Sequence, residues 1–396
     1  MQNLKTRLNL ADIFFFVLWI TTQYFTRNVF CQIMMVLFCG VVILYLLKKP
    51  FSKMRTTYFF WNLLFIGYGL VQILTHNVID DSVATSMVRS LFLNWIMVYA
   101  IVQYILWQKN LRSFLKMVEW GTFVVAVVTI TISLPTLVSG RLGSETEINA
   151  NMLAMLCVYS MVLCWYLMQG AEKKTGYKVK IVFYIATILL TGSRKGLLMI
   201  LIAILVVNAL QGQRKFIKSL FITLLVGAAL LFLVMNVDFL YDIIGSRVEN
   251  LFDFLTEGST EEGSLTTRND LVERGMELVR LKPWTGYGYD CFKVVSGIGW
   301  GEGFFLYSHN NYIELLFSGG IIGLVLYYIP IAMLLIGLFK NRKKDPCIIY
   351  MIAILVSKLA IEYAYISYYE RIDAYWVAIM LGCLVFVRNQ TSNDLK

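Results

Sequence analysis

The chain has few charged residues, few prolines and almost no histidine, and these shortages exclude several classes of protein. Of its 396 residues, 15% are charged, five are proline and two are histidine, whereas 58% are hydrophobic. A soluble globular domain carries far more charge than this. The seven cysteines lie, Cys291 excepted, in or beside apolar runs, so no disulfide framework is predicted. The composition therefore indicates a protein that crosses a membrane many times.

Several chemical motifs are also missing. The sequence has no His, Cys and Asp cluster with metal-ligand spacing, no glycine loop of the nucleotide-binding type and no defensible Ser-His-Asp arrangement. We therefore expect no metal, nucleotide or other cofactor. The net charge of +10 does not predict a nucleic-acid partner, because membrane proteins accumulate Lys and Arg for topology.

Long apolar runs predict twelve transmembrane helices, since about 20 helical residues cross the hydrocarbon core. The seventh and eighth are short and share the hinge Thr191–Gly196, so they could equally form one broken or re-entrant pair. The prediction is one all-α, polytopic integral membrane domain over residues 1–396. The twelve runs lie at residues 9–26, 29–47, 57–76, 87–107, 115–138, 151–170, 179–193, 195–211, 217–237, 310–339, 347–367 and 372–388.

Basic residues concentrate in every second short connection, which predicts the orientation. The positive-inside bias places these connections and both termini in the cytoplasm. The long polar segment 238–308, between the ninth and tenth helices, alternates with them and is therefore predicted to face outward. The basic connections are residues 48–55, 109–116, 173–180, 214–218 and 340–344.

The outer segment 238–308 contains two stretches with helical apolar spacing, Ser246–Leu255 and Arg268–Leu281. Both are predicted to be interfacial helices. Thr267 followed by Asp270 resembles an N-terminal cap for the second one.

A minority of the 35 basic residues lie outside the cytoplasmic connections, against the topological bias. Guanidinium groups that converge at one membrane face suit a diphosphate, because each offers a planar fork of donors. The alternative is that they reach lipid headgroups or pair with nearby acids, which we favour for Arg27, Arg247 and Arg280. Charge within a span costs roughly 2.5–3.5 kcal/mol, which favours a role for Arg194. The candidates for a role are Arg89, Arg141, Arg194, Lys195, Arg268 and Arg274.

Both histidines, His76 and His309, fall at outer ends of predicted helices. A neutral imidazole is a suitable general base toward a sugar hydroxyl. His309 lies beside Asn310 and Asn311, and a structural role for it stays open from the residues alone. His76 occupies an ordinary helix end, which is typical of an interfacial residue.

Three further groups have a structural interpretation. Lys358 and Glu362, four residues apart, predict an ion pair within the bundle. The following Glu370, Arg371 and Asp373 are predicted to form a solvated outer turn, with substrate binding as the alternative. The glycine-rich run Ser318–Gly323 permits close helix approach and predicts a packing feature.

Several strings, in this order along the chain, resemble the O-antigen ligase and polymerase family. Arg141-Leu-Gly followed by Asn151–Ala154 is similar to the family's outer-loop pattern. The resemblance covers about half the chain, from residue 141 to residue 323. The remaining strings are Thr191–Gly196, Arg268, Pro283–Gly288, Ser308–Tyr312 and Ser318–Gly323.

The resemblance implies a metal-independent glycosyltransferase that moves a saccharide from undecaprenyl diphosphate at the outer face of the bacterial cytoplasmic membrane. It implies that Arg194 and Arg268 bind the diphosphate and that His309 activates the acceptor hydroxyl, which would invert the anomeric carbon. The chain reads Ser-Arg-Lys where many relatives have Ser-Arg-Gly, so Lys195 could add a phosphate contact. Asn149-Ala150 replaces an Asp/Asn-Pro pair, which leaves the role of Asn151 open. Further candidates are Arg141 for the diphosphate and Asn310, Asn151, Arg89 and Arg274 for support.

The function predicted is polymerisation of lipid-linked oligosaccharide repeats into capsule, O-antigen or a related surface polysaccharide. Its expected partners are the undecaprenyl-diphosphate-linked donor and acceptor, membrane lipids and a chain-length regulator. An O-antigen ligase, which passes the finished chain to lipid A core, is the nearest alternative. A twelve-helix transporter is a further one, although its two halves would usually be joined by a long cytoplasmic connection. Here the middle connection, residues 171–180, is short.

Overall fold

The computed structural model describes residues 10–24, 28–47, 57–133, 142, 148–257, 263–299, 301 and 305–393. Within these ranges all regular elements are helical. The first nine helices are apolar and follow the predicted runs closely. They are α1 (Leu10–Tyr24), α2 (Val29–Leu46), α3 (Thr57–Leu74), α4 (Asp81–Leu106), α5 (Leu111–Ser133), α6 (Ala150–Gln169), α7 (Thr175–Leu190), α8 (Arg194–Leu210) and α9 (Gln213–Asn236).

Four helices form the connection after α9. These are α10 (Asp238–Leu240), α11 (Ser246–Glu257), α12 (Gly263–Leu281) and α13 (Phe292–Val295), with a π-helical turn at Tyr241–Gly245. Three apolar helices complete the chain: α14 (Asn311–Asn341), α15 (Cys347–Ile361) and α16 (Arg371–Asn393).

Eight of the described helices, α2 to α6 and α14 to α16, are long and apolar enough to cross a membrane. Counting α9 with the helices that follow it as one bent span gives nine, although the chain turns by 98° at this break. The other apolar helices, α1, α7 and α8, have 15, 16 and 17 residues and are shorter than a typical span. The chain is therefore an all-helical, multi-pass membrane protein.

The centre of the bundle is built from α6, α15 and α16, whose apolar windows are the most buried. Trp376 of α16 meets Trp19 of α1 and Tyr159 of α6 edge-on, with ring centroids 5.3 Å and 4.9 Å away. Such edge-to-face pairs stabilise a core beyond the area they bury. Around this centre, α16 packs against α4, α8 against α15, and α14 against α3.

The predicted hinge separates α7 from α8, so the two are distinct helices. Gly192 has φ +61°, and a Cβ there would lie 2.6 Å from the carbonyl oxygen of Ile243. Only glycine fits this left-handed position beside foreign backbone. Ser193 then caps α8 by accepting a hydrogen bond from Gly196 N at 3.4 Å. The hinge therefore holds the start of α8 against the π-helical turn that precedes α11.

The two interfacial helices predicted in segment 238–308 are present as α11 and α12, but the start of the second was misplaced. Thr267 is not a cap, because α12 already begins at Gly263. Arg268 consequently lies inside the helix, in its second turn. The expected solvated turn after α15 was also wrong in part, since Asp373 is buried.

The predicted continuous tenth span is broken at Gly320, where φ is +62° and ψ is −165°. In a straight helix, residues 311 and 328 would lie about 25 Å apart. Instead Asn311 Nδ2 donates to the hydroxyl of Tyr328 at 2.9 Å. The first half of α14 (residues 311–319) therefore folds back on the second half (residues 321–341).

A loop segment, Pro283–Gly288, is hydrogen-bonded through its backbone to the broken helix. Tyr287 N donates to Phe317 O at 2.8 Å, and Ile321 N donates to Pro283 O at 2.8 Å. The Ser318–Gly323 run is thus a packing feature, as predicted, but here it receives a loop rather than a helix. A Cβ on Gly320 would lie 2.2 Å from the backbone of Trp284.

The predicted ion pair between Lys358 and Glu362 is confirmed, and both side chains are buried. Lys358 Nζ also donates to Ser367 Oγ at 2.9 Å. The hydroxyl of Tyr328 donates to Glu362 Oε2 at 2.7 Å, which ties the pair to α14. A buried ion pair needs such additional hydrogen bonds to offset its desolvation.

Candidate functional site

A cavity of about 840 Å³ lies where the ends of α1, α4, α6, α8 and α16 meet α12 and the residues before α14. Its wall holds four cationic and two acidic side chains among amides, hydroxyls and tyrosines. The volume lies at the upper end of the range for small-molecule sites. The residues of the wall include Gln23, Ser86, Ser90, Asn149, Asn151, Lys195, Arg268, Asp290, Lys293, Tyr307, His309, Tyr365, Tyr369, Glu370 and Arg371.

His309 lines the cavity from a short turn that precedes α14. Its φ is +55°, an uncommon conformation for a residue with a side chain. Asn310 then caps α14, accepting hydrogen bonds from Tyr312 N at 3.0 Å and Ile313 N at 3.2 Å. The imidazole lies against the ring of Tyr307, with centroids 4.1 Å apart. The turn therefore fixes the ring at the cavity wall.

Burial lowers the pKa of His309 to about 3, and the positive charges of Arg268 and Lys195 contribute to this decrease. Burial and two neighbouring cations both disfavour the charged form of an imidazole. His309 is therefore neutral at physiological pH, with a ring nitrogen free to accept a proton.

Lys195 and Arg268 reach the cavity from separate parts of the chain. Lys195 lies within the hinge, in the first turn of α8, and its Nζ is 5.7 Å from the centroid of the Tyr365 ring. Arg268 comes from α12. Two cations from different elements, facing one cavity with a neutral histidine, form a surface suited to a phosphate-containing ligand.

Asn151 joins the start of α6 to the hinge. Asn149 caps α6 by accepting a hydrogen bond from Asn151 N at 2.8 Å. The side-chain oxygen of Asn151 in turn accepts a hydrogen bond from Ser193 Oγ at 3.0 Å. Because Ser193 caps α8, Asn151 helps to position Lys195 while also lining the cavity.

Four of the remaining predicted site residues do not line the cavity. Arg194 Nη1 donates to the carbonyl of Arg247 in α11 at 2.6 Å. Arg274 pairs with Glu277 at 3.1 Å and donates to Ile298 O at 2.8 Å, which braces the loop. Asn310 is the cap of α14, and Arg89 is exposed on α4. Arg141 lies outside the described residues.

The cavity also contains residues that were not among the predicted site residues, although substrate binding was the alternative for Glu370 and Arg371. Lys293 forms an ion pair with Asp290, which has φ +61°. Tyr365 donates its hydroxyl to Asp373 Oδ2 at 2.7 Å. Glu370 and Arg371, predicted to be in a solvated turn, contribute to the wall. Basic and acidic residues beside a helix end are the only signal that could have found them.

Asn311, next to the cap Asn310, makes several hydrogen bonds that connect the His309 turn to other parts of the bundle. It is fully buried, and its side-chain oxygen accepts hydrogen bonds from Ser367 N at 2.9 Å and Tyr368 N at 3.1 Å. Its Nδ2 donates to Tyr328. The segment that carries Tyr365 and Tyr369 is thereby fixed relative to His309.

The wall combines a neutral base, charged groups and neutral hydrogen-bonding groups around one cavity. Such a site can bind an anionic group, hydrogen-bond to saccharide hydroxyls and remove a proton. Within the part of the chain that the structure describes, no group of three or more His, Cys, Asp or Glu side chains could hold a metal ion.

Comparison with known proteins gives a match to one family model. Residues 179–328 match the family model described as O-Antigen ligase. The match includes the hinge, Lys195, Arg268, His309 and the bend of α14. It confirms the resemblance to the O-antigen ligase and polymerase family that the sequence strings indicated. A search of curated proteins found no match to the chain.

Proposed function

We propose that this chain, which carries an O-antigen ligase domain at residues 179–328, polymerises undecaprenyl-diphosphate-linked oligosaccharide repeats into a surface polysaccharide. The observation that carries the proposal is the shared cavity of neutral His309 with the cations Lys195 and Arg268. The proposal places the cavity at the outer face of the bacterial cytoplasmic membrane and both termini in the cytoplasm.

The proposed reaction is a single displacement. Lys195 and Arg268 bind the diphosphate that joins the growing saccharide to its lipid. His309 removes the proton from a hydroxyl of the acceptor repeat, and that oxygen attacks the anomeric carbon. The bond from this carbon to the diphosphate oxygen breaks, and undecaprenyl diphosphate leaves with its electron pair. Attack from the face opposite the leaving group inverts the anomeric carbon.

The charges of the site support this order of events. A base with a pKa of about 3 is weak, and Arg268 and Lys195 contribute to that low pKa. A bound diphosphate offsets these cations and therefore raises the pKa of His309. The same two cations stabilise the negative charge that develops on the leaving group. Binding of the donor thus makes His309 a stronger base.

Arg194 remains a proposed diphosphate ligand. Its guanidinium holds the carbonyl of Arg247, at the hinge next to Lys195. Contact with the donor requires this group to turn from α11 toward the cavity. Such a turn would couple donor binding to the position of α11.

The test is extension of purified lipid-linked repeats by the purified protein. We expect His309→Ala to lower product formation by about 10²–10⁴-fold, the usual contribution of general base catalysis. His76→Ala is the matched control, because His76 also has positive φ, +51°, at a helix end but does not line the cavity. Undiminished extension by His309→Ala would refute the assignment.

An O-antigen ligase is the second candidate, because the matching family model carries that description and does not distinguish a ligase from a polymerase. The two functions use the same donor but different acceptors. Cells that lose a polymerase accumulate single repeats on the final carrier. Cells that lose a ligase retain long chains on undecaprenyl diphosphate. Analysis of glycan length in a deletion strain separates the two.

A further inference from the structure

The cavity wall has a further cation, Arg371, on other helices than those that carry Lys195 and Arg268. Arg371 lines the wall where α16 begins. Its Nη1 lies 3.5 Å from the Sγ of Cys31, which is 3.6 Å from Thr22 Oγ1. Arg371 therefore lies beside the end of α1. Gln23, the next residue of α1, lines the same cavity.

Gln23 has a hydrogen-bonding oxygen that the described part of the protein does not use. Its side chain is buried, and Nε2 donates to Trp19 O at 3.2 Å. Among the described residues, Oε1 has no hydrogen-bond partner. A buried acceptor left in this state is costly, and such exceptions often mark a binding role. A ligand hydroxyl at this part of the wall would satisfy it.

The position of Arg371 also favours an anion. It is the first residue of α16, a helix of 23 residues. The N-terminal end of a helix carries partial positive charge, which disfavours a cation there and favours an anion. A phosphate beside Arg371 would be stabilised by the guanidinium and by the helix end together.

The second cation comes from other helices than the first two. Lys195 and Arg268 reach the cavity from α8 and α12, whereas Arg371 comes from the start of α16, beside the end of α1. Arg371 is thus the cation of the wall that lies with α1 and α16.

We propose that Arg371 and Gln23 form a second anion subsite, which holds the diphosphate of the lipid-linked acceptor while Lys195 and Arg268 hold that of the donor. This assignment rests on the proposed function, because only a transfer between two lipid-linked saccharides needs two diphosphate sites. Gln23 accepts a hydrogen bond from a hydroxyl next to the acceptor diphosphate.

The first test measures binding stoichiometry and needs no catalysis. The purified protein is titrated with labelled undecaprenyl diphosphate. We expect two equivalents to bind, with Arg371→Gln and Arg268→Gln each weakening a different one by about ten- to hundredfold. Arg280→Gln is the control, because Arg280 is exposed at the end of α12 and does not line the cavity. A single site that Arg371→Gln leaves unchanged overturns the proposal.

The second test separates donor from acceptor in the extension assay. Arg371→Gln should raise KM for the lipid-diphosphate-linked acceptor and leave KM for the donor unchanged. Arg371→Lys should recover part of the acceptor affinity, which a merely misfolded protein would not do. An equal increase in both KM values overturns the proposal.

The two tests also distinguish failure of the proposed function from failure of the proposed subsite. Two binding sites without any chain extension would refute the proposed polymerase and leave the second subsite supported. Chain extension with one binding site would support the polymerase and refute the second subsite.

Discussion

Asn311 and Tyr328 lie in the same helix, 17 positions apart, and yet their side chains share a hydrogen bond of 2.9 Å. The bend at Gly320 makes this contact possible, and the ring of Tyr312 stacks on that of Tyr328 with centroids 5.4 Å apart. Tyr328 continues the connection to Glu362. His309, two residues before Asn311, is therefore anchored to the core of the bundle rather than to the rest of segment 238–308.

Replacement of Asn311 should disturb catalysis through the position of His309. Asn311→Ala leaves two buried backbone N–H groups without their acceptor, at about 1–3 kcal/mol each. We expect kcat to decrease at least about tenfold with little change in donor KM, which kinetics on the purified protein would show. Asn311→Asp keeps the acceptor oxygens but loses the donor to Tyr328, so its decrease in kcat should be smaller.

Asn341→Ala is the control for this prediction. Asn341 is a buried amide near the other end of α14, where its Nδ2 donates to Gly337 O at 2.7 Å. Its loss should lower thermal stability by about 1 kcal/mol and leave kcat unchanged. Equal loss of kcat in both variants would contradict a positioning role for Asn311.

The bend of α14 should tolerate only glycine at position 320. Gly320→Ala places a Cβ 2.2 Å from Trp284 backbone atoms and strains a positive φ. We expect a loss of stability of at least about 1–3 kcal/mol, seen as a lower melting temperature in detergent. Gly323→Ala is the matched control, because its Cβ would make only ordinary contacts, with Tyr68 at 3.6 Å and Tyr289 at 4.0 Å. Similar melting temperatures for the two variants would show that the bend is not constrained in this way.

The neutral state of His309 can be measured directly. The chain has only two histidines, so His76→Gln leaves a single histidine signal for NMR. With a pKa of about 3, that signal should not titrate between about pH 8 and pH 5. Arg268→Gln removes a charge that disfavours imidazolium and should raise the pKa. A midpoint near 6.5 in the unaltered site would contradict the description.

Replacement of only one partner of the buried Lys358–Glu362 ion pair should lower the stability of the protein. Lys358→Met leaves a buried carboxylate without its cation, a change that typically costs about 3–5 kcal/mol. The double variant with Glu362→Gln removes both charges and should recover part of the loss. Thermal unfolding of the three proteins measures this, and no recovery in the double variant would show that the pair itself is not responsible.

The helices were largely predictable from the sequence, because each apolar run had the length and polar borders of a helix. The bend at Gly320 was not predictable in the same way. Hydropathy is continuous over residues 310–339, and nothing in it records a positive φ or the approach of Trp284. The misplaced start of α12 has a similar cause, since an inferred cap at Thr267 outweighed the weaker helical signal before it.

Several residues of the cavity wall were predicted to lie together, whereas their roles stay predictions. The strings around Lys195, Arg268 and His309 come from distant parts of the chain, and the structure brings all three to one cavity. The surroundings of Arg194 and Arg371 could not be predicted from the sequence. A basic residue at a helix end can face lipid, a backbone carbonyl or a cavity, and the neighbouring residues in the sequence do not distinguish these cases. Only the packing of α11 and α16 distinguishes them.

The backbone hydrogen bonds between Pro283–Gly288 and the bend of α14 have a practical consequence for protein engineering. Segment 238–308 is not an exchangeable module that ends where the apolar sequence resumes. A chimera with a relative should keep its downstream border beyond Gly323, so that both sides of these bonds come from one parent. A border at residue 308 would divide a single structural unit between two proteins.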